Sequence, residues 1–220
     1  AWGSRSSITF ASREHGVAAY RPSLAVTKTT IINDPPIVVT EAAAAETTVT
    51  GTSTVLSVLG DDDLTESDLR YTWTATTLPS GAAAPTFSAN GSNAAKDTTV
   101  TFHKAGTYVL TARISDSSNA SVTTSVTVMV EQTFSSVLVT PGSATLYLET
   151  EKQFAASARD QFGDAMAGSY VFDWSASDGS ITSDGLLTAP ATPGSLVVTA
   201  SVGAIQGTAN VTVTDVKFLN

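Results

Sequence analysis

The densest set of side chains able to do chemistry is Asp61-Asp62-Asp63, followed by Glu66 and Asp68. Hard carboxylate oxygens on one loop suit Ca²⁺, which takes six to eight oxygen ligands. Asn33 and Asp34, at the start of the same predicted domain, are placed to approach that end. The candidate calcium ligands are therefore Asn33, Asp34, Asp61, Asp62 and Asp63. The other reading is a solvated loop, since no EF-hand spacing is present and Asp is favoured in turns for its backbone hydrogen bonds. No other cofactor is suggested.

Other chemistry is poorly supplied. The two histidines, His15 and His103, are too few and too far apart for a metal centre or a triad. His103 follows Phe102 near a strand end and reads as an exposed turn residue. The remaining carboxylates fall in turn-like segments, and no helix follows a glycine-rich phosphate loop. A catalytic role is not expected of this chain. Nucleic acid is excluded as a partner by a net charge of −9 with only 11 basic residues, none of them clustered. No 18-residue apolar run exists, so no membrane span is expected. The chain opens on Ala1 without a signal peptide, which reads as a mature or excised piece of a longer protein. Asn90-Gly91-Ser92, Asn119-Ala120-Ser121 and Asn210-Val211-Thr212 fit the glycosylation sequon, a match common by chance in Ser/Thr-rich chains.

The elements that would position these groups are strands. Leu69 to Ala75 alternates Leu69, Tyr71, Trp73 and Ala75 inward with Arg70, Thr72 and Thr74 outward. Gly106 to Ile114 repeats the pattern with Tyr108, Leu110, Ala112 and Ile114, and a last strand buries Val122, Val126, Val128 and Val130. The same arrangement recurs downstream: Phe172, Trp174 and Ala176, then Gly194 to Ala200, then Val211 and Val213. A period of two marks a half-buried antiparallel strand. A buried tryptophan followed by a glycine-led alternating strand marks an immunoglobulin-like sandwich. Trp73, Tyr108 and Trp174 are therefore expected in the core, and not as sugar-stacking platforms. Ala42 to Ala45 has helical propensity but is too short for a helix, so a strand, bulge or turn is expected.

The fold class is all-β: two tandem immunoglobulin-like β-sandwiches with an extra N-terminal β segment. Residues 1–32 form that segment, 33–132 the first sandwich and 133–220 the second. Asn33-Asp34-Pro35-Pro36 marks the first boundary, because proline cannot donate to a ladder. Glu131-Gln132-Thr133 has neither Gly nor Pro, which suggests a stiff end-to-end rod. The chain has no cysteine, so packing alone must hold the sheets.

The first sandwich resembles PKD-like domains through Tyr71-Thr72-Trp73 and Ala105 to Asp116, although the Trp-Asp-Phe-Gly-Asp-Gly stretch of that family is missing. The second is similar to group 2 bacterial Ig-like domains. That match rests on Val139-Thr140-Pro141, Phe154-Ala155-Ala156, Asp160-Gln161-Phe162-Gly163, Trp174-Ser175, Gly185 to Pro190 and the strand from Gly207 to Val213. Ile8 to Glu14 and Arg21 to Thr27 resemble the closing strands of a DNRLRE-type carbohydrate-binding jelly roll. These resemblances imply a non-catalytic spacer, adhesion or fibre module, extracellular or on a bacterial cell surface. Partners would be proteins or further copies meeting edge strands, with residues 1–30 as a donated strand. The second functional class is an accessory carbohydrate-binding region of a polysaccharide-degrading enzyme, with Phe87, Phe134, Tyr147 and Phe162 as candidate exposed aromatics.

Overall fold

The computed structural model describes residues 33–63 and 65–215. The N-terminal segment, with its expected strands, His15 and jelly-roll likeness, lies outside them. The first eight strands are β1 (Ile37–Ala44), β2 (Thr48–Val49), β3 (Ser53–Asp61), β4 (Arg70–Thr77), β5 (Thr86–Phe87), β6 (Asp97–Thr101), β7 (Gly106–Ser115) and β8 (Ser121–Val130). They form two four-stranded sheets, ordered β1-β3-β6-β5 and β2-β8-β7-β4. Short 3₁₀ helices at Glu66–Asp68 and Asn93–Lys96 fill the connections. The alanine run enters β1, whose pairing with β3 shifts register between Val38 and Ala43.

Nine further strands follow: β9 (Phe134–Thr140), β10 (Ser143–Tyr147), β11 (Glu151–Gln153), β12 (Ala155–Asp160), β13 (Asp173–Ala176), β14 (Ser180–Ile181), β15 (Leu186–Thr188), β16 (Gly194–Val202) and β17 (Ile205–Thr214). They make a four-stranded sheet, β10-β17-β16-β13, faced by the smaller ladders β9-β12 and β11-β15-β14.

Two separate apolar clusters result. In the first, Tyr71, Trp73, Phe102, Tyr108, Leu110 and Ile114 are sealed between the sheets, with Phe102 and Tyr108 ring centroids 4.7 Å apart. In the second, Val139, Phe154, Leu187, Val198 and Val211 form the centre. Each tryptophan strand pairs with the strand that begins at the recurrent glycine, and in both the tryptophan lies opposite an alanine: Trp73 with Ala112, Trp174 with Ala200. A methyl opposite leaves room for an indole at normal packing density. The two tryptophans nevertheless differ. Trp73 is 1% exposed and its indole N–H donates to the Ala95 carbonyl at 2.8 Å, whereas Trp174 packs against the second core while staying half-buried.

Close approach sets one glycine in the second core. A β-carbon on Gly207, in β17, would run into the Val137 carbonyl of the facing β9. Gly207→Ala is expected to lower stability by about 2–3 kcal/mol in urea denaturation. Gly142→Ala, where a β-carbon meets nothing within 4 Å, should change it by less than about 1 kcal/mol.

Candidate functional site

At the N-terminal end of the first sandwich the acidic groups divide into two sets. Asp61 ends β3 and its Oδ1 accepts the Asp62 amide at 3.0 Å. Asp62 keeps one buried oxygen without a partner. Desolvation, with the charges of Asp63 and Asp116 close by, pushes its carboxyl above the ordinary range. Asn33 does not turn toward Asp61–Asp63; its side-chain amide donates to Asp116 at 2.7 Å. Asp34 is exposed. Among the described residues no group of three or more His, Cys, Asp and Glu is arranged to hold a metal ion.

Glu66 is a structural knot. It accepts the Tyr71 hydroxyl at 2.9 Å, the Asn93 amide at 3.0 Å and Lys96 Nζ at 3.0 Å, so it ties the two 3₁₀ helices to β4. Burial works against its charge, but those hydrogen bonds and the Lys96 charge prevail and hold the carboxyl below its ordinary 4.5. The Tyr71 hydroxyl, pushed up to about 12 by burial and by its bond to this carboxylate, stays protonated and also receives the Gly60 amide.

One five-residue loop is built twice. Asp116 Oδ1 accepts the amides of Ser118 and Ala120 at 2.8 and 2.9 Å. Asp160 Oδ1 accepts those of Phe162 and Asp164 at 3.0 and 2.9 Å. In each, the fourth residue takes a left-handed backbone, Asn119 at φ 69° and Gly163 at φ 83°, the conformation that Asn and Gly tolerate best. In each, the second carboxylate oxygen receives an amide side chain from the segment leading into that sandwich: Asn33 for Asp116, and Gln132 for Asp160 at 2.9 Å. A pair of aspartates thus pins both entry segments by the same chemistry. The Asn33 bond, aided by the amides of Ser118, Ala120 and Asn119, outweighs desolvation and holds the Asp116 carboxyl below its ordinary range.

The Asp160 loop also grips the first sandwich. Gln161 Nε2 donates to the Glu131 carbonyl at 2.7 Å and to Gly51 at 3.2 Å, while its Oε1 accepts the Thr133 amide at 2.8 Å. The Thr133 hydroxyl donates to the Thr50 carbonyl at 2.7 Å. Phe162, next in the loop, packs against the core of the first sandwich. One side chain therefore bonds a strand-connecting turn, the linker and the start of the second sandwich. The sequence offers this stretch as a turn within the group 2 Ig-like resemblance and Phe162 as a candidate exposed aromatic, and neither points to a contact with the first sandwich. The one signal that could have found it is a phenylalanine at an otherwise polar turn.

The other singled-out residues are placed as follows. His103 is exposed in a bend. Phe87 and Phe162 pack on the first core and Phe134 on the second, leaving Tyr147, 51% exposed, as the open member of that aromatic set. Asn90 clamps the Trp73 backbone, accepting its N–H at 2.7 Å and donating to its carbonyl at 2.9 Å.

No protein-family model matches the chain, and no curated protein does. Among solved structures it is similar to the ectodomain of human desmocollin-1, at 12% identity and a TM-score of 0.51, covering 91% of this chain and 45% of that one. Drosophila N-cadherin EC1–4 shares 14% identity at a TM-score of 0.48, covering 90% of this chain and 54% of that one. Domains 4 and 5 of the S-layer protein SbsC share 13% identity at 0.33, covering 82% and 98%. The chain spans about half the length of the first two. At 12% identity the likeness to desmocollin-1 is one of fold alone, an all-β sandwich architecture. No helix among the described residues is long and apolar enough to cross a membrane.

Because the folded Glu66 carboxyl binds its proton less readily than the unfolded one, its contribution is complete above the unfolded value and is lost as pH falls through the folded value. Urea midpoints measured from about pH 6 down to pH 3 should fall less steeply for Glu66→Gln than for the parent chain. Equal slopes would show that the Glu66 knot does not act on stability.

Proposed function

We propose that this chain is a non-catalytic, rod-like spacer, adhesion or fibre module of a larger secreted or surface protein of bacteria. In this reading residues 33–132 are a PKD-like sandwich, residues 133–220 a group 2 bacterial Ig-like sandwich, and residues 1–32 the tail of a preceding module or an exchanged strand. The observation that carries the proposal is the Gln161–Phe162 clasp. A spacer transmits position or force only if its joint resists bending. The joint has a carboxylate-pinned linker, an amide that bonds three segments, and a half-buried aromatic packed on the first core. A neutral amide–backbone bond contributes about 0.5–1.5 kcal/mol net and one to a carboxylate about 1.5–3 kcal/mol at most, and together they favour one arrangement over free tumbling. A hydroxyl-rich, acidic surface supports solubility outside the cell, and exposed sheet edges supply contacts for protein partners.

Absence of cysteine lets nitroxide labels be placed cleanly at Thr123→Cys and Ser195→Cys, one exposed site in each sandwich. Electron–electron distance measurement should give one narrow distribution, broadened at least about twofold by Gln161→Ala combined with Phe162→Ala. A distribution already broad in the parent chain would sink the rod reading.

A further inference from the structure

The two tryptophan strands have the same inner neighbour but different outer ones. In the first sandwich the outer edge of β4 is covered by an extended stretch of the chain. The Tyr71 amide donates to the Ser92 carbonyl at 3.1 Å, the Gly91 amide to the Tyr71 carbonyl at 2.8 Å, and Asn90 clamps Trp73. The Asn93–Lys96 turn then closes over the indole and takes its N–H. In the second sandwich β13 bonds β16 on its inner side. Among the described residues no backbone hydrogen bond reaches its outer edge.

That uncovered edge borders a cleft of about 460 Å³ lined by Phe154, Ala156, Tyr170, Phe172 and Trp174, with Gln153 at its rim. Tyr170 and Phe172, with ring centroids 6.4 Å apart, line it, and Phe134, outside the lining, packs on Tyr170 at 5.3 Å. Val171, at its mouth, is 87% exposed. Natural edges are guarded by lysine, proline or a bulge. Residues 170–176, Tyr-Val-Phe-Asp-Trp-Ser-Ala, contain no Lys or Pro, and the β13–β16 register is continuous.

We propose that the outer edge of β13 accepts an extended strand from a second copy of this chain, residues 23–31, seated over Trp174 as residues 90–96 are seated over Trp73. The occupant's chemistry follows from the covered counterpart. It must be polypeptide, because β4 is covered through backbone amide and carbonyl groups as well as by apolar contact. It must also carry small apolar side chains at alternate positions to reach the aromatic floor. Ser23-Leu24-Ala25-Val26-Thr27 has that alternation, and residues 1–32 lie outside the described residues, where the length of chain suffices for such a strand. Strand addition supplies affinity through main-chain bonds and specificity through alternate side chains. The proposal rests on the exchanged-strand reading of residues 1–32, names its acceptor, and does not use the Gln161 joint.

The test is complementation in sedimentation velocity with the full chain. Two variants each break one partner: Leu24→Asp with Val26→Asp on the donor, and Val171→Lys with Ser175→Lys on the acceptor, where both positions are exposed and so spare the fold. The parent should self-associate with a dissociation constant of about 1–100 μM. Each double variant alone should lose at least about tenfold in affinity by forming only head-to-tail contacts it cannot complete. Mixing the two should restore a one-to-one complex, because one retains an intact donor and the other an intact acceptor. In a Trp2→Phe background, association should shift indole emission to the blue as Trp174 is covered. A monomeric parent at about 200 μM, variants that associate like the parent, or failure of the mixture to pair would each overturn the proposal. So would occupation of the cleft by cellohexaose in place of the strand. None of these outcomes alters the label distances that test the joint.

Discussion

The structure depends on seating an indole between two sheets with no covalent tie between them. The chain has no cysteine, so the inter-sheet link must come from packing. Trp73 provides it by filling the layer opposite Ala112, with its one polar atom satisfied by the Ala95 carbonyl. A buried indole N–H left without an acceptor would cost about 1–3 kcal/mol. The loop that supplies the acceptor is therefore part of the core and not an ornament on it. Around this plug Tyr71 extends the same logic, its ring inside and its hydroxyl bonded to Glu66 and Gly60 at the rim.

A second economy is the use of aspartate as a loop organiser. Asp116 and Asp160 each spend one oxygen on two amides of their own loop and offer the other to an entering linker. A charged acceptor strengthens such bonds relative to a neutral one, and the loop geometry aims the free oxygen along the chain's approach. The device is local, so it can be repeated at the entry to each sandwich. In the second it also places Gln161 and Phe162 against the first. Linker direction and inter-sandwich contact thus follow from one buried carboxylate, Asp160, which is 2% exposed.

Unequal cover of the two tryptophan strands follows from the length of chain after each. Nineteen residues separate β4 from β6, long enough to fold back along the open edge and close over the indole. After β13 the chain turns at once into β14, and among the described residues nothing pairs with the outer edge. The same strand is therefore an interior element in one sandwich and a border in the other. Half-burial of Trp174, Phe172 and Ala176 is the outcome, where their period alone pointed to a full core.

Alternation of side chains by itself determined the all-β class, the strand phases and the identity of the first core, because a period of two commits each residue to a face before any partner is known. Tyr71, Trp73, Tyr108 and Leu110 were legible on that ground, while the alanine run left strand, bulge and turn open. The acidic loop was legible as a cluster but not in its bonding: Asn33 reaches Asp116, distant in sequence, and Glu66 serves the fold through Asn93 and Lys96. The Gln161 clasp, the twofold use of the aspartate loop and the open edge of β13 were decided only in three dimensions. Each depends on which segments meet across the sandwich ends and edges, and hydrogen-bond partners far apart in the chain leave no periodic mark on it.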